Sequence, residues 1–255
     1  VQGLVEMHRI LLGQSSPNIA WRLRDQQVWI GGSDHSPAGA LFVPPHHRHL
    51  EALMKDLGAF MQRDDMPALA QAAIAHAQFE TIHPFADGNG RTGRALVHVL
   101  MRSRCLATTT ALPISASLLT DTTRYFAALD AYRAGDVDGI VQLFARASIE
   151  AARRGARLAE ELTQIRNEWN GLLTARADAL AWRVLDLLVQ RPVLTTATVS
   201  AEFSVSAETA RNALERLEAD GIAVSAQLDK RQRGWRSPDV LELLDEFADH
   251  AGRRT

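Results

Sequence analysis

HPFADGNGRTGR, His83 to Arg94, puts a histidine, an acid, a run of turn-forming residues and two arginines into twelve consecutive positions. Turn residues alone would make a loop, and arginines alone a solvated face. Gly88 and Gly90 carry no Cβ, so a phosphate can approach the backbone and φ can turn positive without strain. Asn89 between them tolerates the same conformation better than most residues. The stretch that follows has Leu96, Val97, Leu100 and Met101 at helical spacing, so a helix is expected to open at Gly90. Its N-terminus, with free amides and the positive dipole end, favours an anion. Arg91 and Arg94 are three residues apart and should share a face, each guanidinium able to grip two phosphate oxygens. Asp87 would be repelled by that phosphate unless a cation lay between them, which points to Mg²⁺. His83 titrates near neutral pH and suits a base that takes a proton from a hydroxyl. Pro84 sets the chain direction, and Phe85 is expected to anchor the loop in the core. The local chemistry is phosphate transfer from a Mg²⁺-nucleotide.

Upstream, MPALAQAAIAHAQFETI opens with a proline at a helix start and should run as a helix to His83, with His76 packed inside. HLEALMKDLGAFMQ carries Leu50, Leu53, Met54, Leu57 and Phe60 as a second amphipathic stripe. GLVEMHRILLG is a short helix ending at Gly13. Between them, IAWRLRDQQVWIGG and GALFVPPHH read as short extended pieces forming a hairpin. Downstream, helices are expected over about 121–134 and 136–169, and a boundary over about 170–178. Past it, ALAWRVLDLLVQRP, a helix-turn-helix stretch and SAQLDKRQRGWRS follow the order of a winged helix-turn-helix. Ala210, Ala213, Leu214 and Leu217 form the inner face of its recognition helix, and Gly221 stands at the C-cap.

The whole chain bounds these readings. Its 255 residues suit one large domain or two ordinary ones, and 46% hydrophobic with 23% charged residues is a globular composition. A net charge of -2 excludes wholesale coating of nucleic acid. The single cysteine, Cys105, allows no internal disulfide and is expected to be a small core residue. With no apolar run of membrane-spanning length and no signal-peptide pattern, a cytoplasmic protein with no membrane partner is expected. His46, His47 and His49 lack a cysteine or acid at familiar ligand spacing, and read as a solvated turn.

The stretch from His83 to Arg94 resembles the Fic family motif, His-x-Phe-x-Asp/Glu-Gly-Asn-Gly-Arg-x-x-Arg, and each specified position matches. LVEMHRILLG, VWIGG, ALFVPP and RYFAALDAYRAGD are similar to other parts of longer Fic proteins. The resemblance covers about 1–169 and implies a mainly α fold: a helical bundle with a small β-hairpin flap, about 28–43, ahead of the winged helix-turn-helix (α+β) domain at 179–255. It implies an enzyme, a protein adenylyltransferase that moves AMP from ATP to a Ser, Thr or Tyr hydroxyl of a target protein and releases pyrophosphate. His83 would be the base and Asp87 the Mg²⁺ ligand. The amides of Gly88, Asn89 and Gly90 would hold the α- and β-phosphates, with Thr92 and Gly93 in the same nucleotide-binding run. Arg91 would neutralise the pyrophosphate and Arg94 orient the γ-phosphate. Tyr125 and Phe126 fall where the family places aromatics near the base, although core packing explains them as well. Ala40, Leu41 and Phe42 match the flap that pairs with the target's backbone, and Leu41 and Phe42 would equally suit a core.

Gly90 stands where the phosphorylating branch of the family has lysine, which favours nucleotidyl transfer. No copy of the family's inhibitory Ser/Thr-x-x-x-Glu helix is found. Such a helix is expected either upstream of Val1 or on a separate inhibitory partner, and a homodimer also stays open. The alternative reading is a DNA-binding transcriptional regulator whose Fic-like domain is repurposed or inactive. Arg211, Lys230, Arg231 and Arg233 are its candidate DNA contacts. From Thr195 to Thr255, however, eight Lys and Arg face eleven Asp and Glu, the wrong balance for strong duplex binding.

Overall fold

The computed structural model describes residues 1–33, 35–107, 114, 118, 121–176, 179–228 and 233–252, the last three by their backbone alone. It divides into two compact units, Val1–Ala152 and Arg153–Arg253.

The first unit is helical. α1 (Gln2–Leu12), α2 (Leu50–Phe60), α3 (Ala68–Ile82), α4 (Asn89–Ser103) and α5 (Thr122–Arg133) precede α6 (Asp138–Leu172), whose length carries it into the second unit. Leu50, Met54 and Leu57 of α2 and Leu96, Val97 and Leu100 of α4 point inward, as their spacing dictates, against Phe79, Phe85 and Phe144. α3 is different. Its small alanines are buried on several sides and its polar Gln71, His76 and Glu80 are buried too, so it is the central helix of the unit. α4 starts one residue earlier than expected, with Gly88 at φ 79° as its cap.

Two expectations fail here. The hairpin at 28–43 is reduced to isolated bridges, Ile30 to Phe42 and Ser33 to Ser36. Gly31, Gly32 and Gly39 all take positive φ and turn the chain too often for a ladder to propagate. Cys105 is exposed rather than buried, because α4 ends at Ser103 and the thiol follows in a left-handed turn at φ 59°.

The second unit adds α7 (Leu180–Gln190), β1 (Val193–Thr195), α8 (Thr196–Phe203), α9 (Ala207–Ala219), β2 (Val224–Gln227), β3 (Arg233–Arg236) and α10 (Pro238–Gly252). The strands form one antiparallel sheet in the order β1-β3-β2, with Leu194 opposite Trp235 and Ala226 opposite Gly234. Thr195 and Ser206 cap α8 and α9 through their hydroxyls. Ala210, Ala213, Leu214 and Leu217 are buried as their periodicity requires, and Gly221 takes φ 76° just past the α9 cap. β1 and α10 have no counterpart in the sequence reading. Trp169 and Leu173, placed at the end of the first domain and in the linker by that reading, pack instead in the second core. The Trp169 indole donates to Asp239 at 3.0 Å.

Candidate active site

His83 terminates α3 in the left-handed conformation, φ 49° and ψ 62°. A β-branched-free but bulky side chain there is strained, and such strain persists only where neighbours impose it. Arg24 is the neighbour. Its buried guanidinium donates from Nε to the His83 carbonyl at 2.8 Å and from Nη2 to the Pro45 carbonyl at 2.5 Å. Its backbone amide donates to the Pro84 carbonyl at 2.9 Å. Nothing in the polar run around Arg24 marks it as buried, and sequence reasoning missed it.

The loop after His83 is fastened from two sides. Asn89 donates to the Phe85 carbonyl and accepts from the Phe85 amide, at 2.8 and 2.9 Å, closing the turn on itself. Phe85 is fully buried, as expected of an anchor, and stacks on His8 of α1 at 3.8 Å between ring centroids. His8 Nδ1 accepts from the Trp21 amide, so Nε2 carries the proton and donates to the Asp87 carbonyl at 3.0 Å. A Cβ on Gly88 would lie 2.6 Å from Leu12 and 3.2 Å from His8 Nε2. The missing side chain at Gly88 therefore lets α1 seat the loop, in addition to freeing φ.

A cavity of about 680 Å³ opens beside this loop. Of the residues singled out in the sequence, His83, Gly90 and Arg94 line it from α3 and α4, Tyr125 and Phe126 from α5, and Leu41 and Phe42 from the bridged segment. The others do not line it. Thr92 is buried and donates its hydroxyl to the Gly88 carbonyl at 3.0 Å. The Gly93 carbonyl accepts from His76 Nδ1 at 3.1 Å. The Ala40 amide donates to the Pro37 carbonyl. Arg91 is exposed and pairs with Asp87 at 3.3 Å, so the two arginines expected on one face are split between solvent and cavity.

The charged lining residues Glu80, Asp130 and Arg133 were missed, and His76, expected only to pack, lines the cavity as well. The Arg133 guanidinium lies 3.5 Å from the centre of the Phe42 ring and donates to Asp130 at 2.7 Å. His76 is buried between the Gly93 carbonyl and the Tyr125 hydroxyl, the latter at 2.8 Å. A carbonyl only accepts, so Nδ1 is the protonated nitrogen and Nε2 accepts from Tyr125. Charged residues on a helix read as solvated faces, and only the packing of α3 against α4 and α5 turns these inward.

Burial sets the electrostatics. It lowers His83 to about 4, with Arg24 and Arg133 adding to the effect, and lowers His76 to about 4. His83 thus does not titrate near neutrality as the sequence suggests; at pH 7 it is uniformly a neutral base. Burial raises Glu80 to about 7 against the pull of Arg94 and Arg133, and raises the Tyr125 hydroxyl as well.

Asp87 is the one candidate metal ligand from the motif. Its carboxylate is 62% exposed, on a loop pinned through its own carbonyl, and among the described residues no group of three or more potential ligands exists. A single accessible carboxylate fits Mg²⁺ held largely by water and substrate phosphates, and does not fit an all-protein cage. Of the candidate DNA contacts, Arg211 lies 3.8 Å from Glu215 and Arg233 lies 2.9 Å from Glu218. Lys230 and Arg231 lie outside the described residues.

The model of the Fic/DOC family matches residues 1–101. Protein adenylyltransferase fic-1 of Caenorhabditis elegans is 29% identical over 157 residues, 60% of this chain and 28% of its own length. Protein adenylyltransferase Fic of Nematostella vectensis is 37% identical over 107 residues, 40% of this chain and 23% of its own. The chain thus spans about a quarter of the length of these curated relatives. The crystal structure of a Fic family protein from Desulfovibrio desulfuricans G20 superposes on 92% of this chain and 68% of its own, with a TM-score of 0.55 at 23% identity. At that identity the likeness speaks for the fold. Among the described residues no helix is long and apolar enough to cross a membrane. The similarity to the Fic/DOC family model thus runs from α1 into the glycine-loop helix, residues 1–101.

Proposed function

We propose that this chain is a protein adenylyltransferase that moves AMP from ATP to a Ser, Thr or Tyr hydroxyl of a target protein. The observation that carries the reading is a neutral, half-buried imidazole at the mouth of a cavity that also holds the Arg94 guanidinium and an aromatic wall. The names of the curated relatives support the same chemistry.

In this reading the triphosphate lies along the start of α4. The amides at Gly88, Asn89 and Gly90 meet its inner phosphates, Arg94 its outer end, and Tyr125 and Phe126 the base. Mg²⁺, held by Asp87, would neutralise charge on the bridging phosphates. His83 takes the hydroxyl proton of the target. The freed oxygen bonds to the α-phosphorus while the bond to the bridging oxygen breaks, and pyrophosphate leaves with that electron pair. Leu41 and Phe42, beside the cavity, would hold the target's backbone. Arg91 remains near Asp87, placed to meet the leaving pyrophosphate.

His83→Ala is expected to lower transfer about 10² to 10⁴-fold, the usual cost of losing a general base. The measurement is the mass gained by a target protein incubated with ATP and Mg²⁺. A gain of phosphate alone, or wild-type labelling by the variant, would overturn the assignment.

For the second unit, the order α7-β1-α8-α9-β2-β3 and the sheet order β1-β3-β2 support a winged helix-turn-helix. The pairing of Arg211 and Arg233 with acids favours a scaffolding or dimerising role over DNA reading. Fluorescence anisotropy on duplex DNA at physiological salt should give a Kd no tighter than about 10⁻⁶ M.

A further inference from the structure

Glu80 stands one helical turn before His83 on α3, and nothing in the transfer so far uses it. The residue is 8% exposed, and its Oε1 is buried without a hydrogen-bond partner. Oε2 lies 3.9 Å from His83 Nδ1, which is buried, makes no side-chain hydrogen bond and has the Glu80 backbone near it as an acceptor that favours the protonated ring. Space for the carboxyl is built into the next helix: a Cβ on Gly93 would lie 2.3 Å from Glu80 Oε1 and 3.2 Å from the Phe79 ring. A buried carboxyl with an open lone pair costs stability that a well-packed leucine would not, so it calls for a reason beyond packing.

The geometry points to Glu80 as the positioning residue for His83: its carboxylate receives the Nδ1–H, fixes the tautomer that leaves Nε2 bare toward the cavity, and holds the imidazolium that forms on proton transfer. This rests on the adenylyl transfer proposed above. The gap of 3.9 Å exceeds hydrogen-bond reach. Catalytic pairs are commonly loose before substrate arrives and tighten in the complex. The step itself balances simply. The target's O–H breaks, its proton moves to Nε2, and the positive charge this creates lies beside the carboxylate.

The groups facing the pair are Arg94 from α4, Arg133 and Tyr125 from α5, Arg24 from the segment after α1, Asp87 from the loop, and His76 from α3 itself. Three cations surround the site, so an imidazolium formed there meets repulsion on most sides. The acids on the other side are Glu80, 3.9 Å from the ring nitrogen, and Asp87. Burial keeps Glu80 near half-ionised at neutral pH while His83 is neutral, and protonating His83 draws the carboxyl into its ionised form.

The test uses the full chain, wild type and Glu80→Gln, with ¹⁵N-labelled imidazoles; His83 is assigned among the nine histidines by its disappearance in His83→Gln. In wild type the ring should be the Nδ1–H tautomer. In Glu80→Gln that preference should weaken, since a carboxamide can turn its NH₂ as well as its oxygen toward Nδ1. Turnover should drop about 10- to 100-fold with KM for ATP unchanged, in keeping with the loss of an orienting partner. Glu80→Asp, which keeps the charge on a shorter arm, should recover part of it. An Nε2–H tautomer in wild type overturns the proposal without any variant. So does unchanged turnover in Glu80→Gln, or a raised KM for ATP at constant kcat, which would mean that Glu80 acts through Arg94 on the nucleotide. Wild-type protein that transfers no AMP would sink the adenylyl-transfer reading instead, and the ring spectra would still report on the Glu80–His83 pair.

Discussion

Arg24 and His83 together make one strained backbone position. The guanidinium is satisfied by main-chain carbonyls, His83 among them, and burial lowers its pKa without removing the proton. Arg24→Met should leave those carbonyls bare and cost about 3 kcal/mol, read as a lower urea midpoint of the first unit. His83→Gly should act the other way. Glycine accepts φ 49° without penalty, so the protein should be more stable by about 1 kcal/mol while losing transfer. A lower melting temperature in that variant would show that the imidazole is held for packing rather than chemistry. His83 and Arg94 were legible in the sequence because their spacing from two glycines is itself a pattern. Arg24, Glu80 and Arg133 were not, because a lone charge on a helix or in a polar run looks the same whether it faces water or a cavity.

At the scale of elements, the glycine loop is held by α1. Gly88→Ala would force a Cβ into Leu12 and His8 at positive φ, and should destabilise by about 1 to 3 kcal/mol. Adding Leu12→Ala removes the steric part, so the double variant should lose less than the two single effects combined; simple additivity in denaturant melts would contradict the contact. In the second unit Glu218 of α9 plays a comparable part. It accepts from Ser225 at 2.5 Å, the Trp235 indole at 2.9 Å and Arg233 at 2.9 Å, so it ties the helix to β2 and β3. These helices were readable from apolar spacing and from their glycines and prolines. The bridged segment was not: alternation suggested a hairpin, but three positive-φ glycines break the ladder into single bridges. β1 also escaped notice, since a three-residue strand has too few positions to show a period.

For the whole molecule, buried titratable groups set the response to pH. His76 and His83 have folded pKa values near 4 against 6.5 unperturbed, so their contribution is intact above about 6.5 and is lost as pH falls toward 4. Glu80 has the opposite sign: its contribution is complete below about 4.5 and fades as pH rises through about 7. Two histidines outweigh one carboxyl, so the melting temperature of the first unit should climb from pH 4 to 6.5, and His76→Asn should flatten that climb. The sequence by itself determined the helical register and the motif from His83 to Arg94, because local periodicity, glycine and proline act over a few residues. Only the tertiary structure decided which charges enter the cavity. That choice depends on contacts between residues far apart in the chain, such as His76 with Tyr125 and Arg24 with His83, and on the space that Gly93 leaves for a carboxyl one helix away.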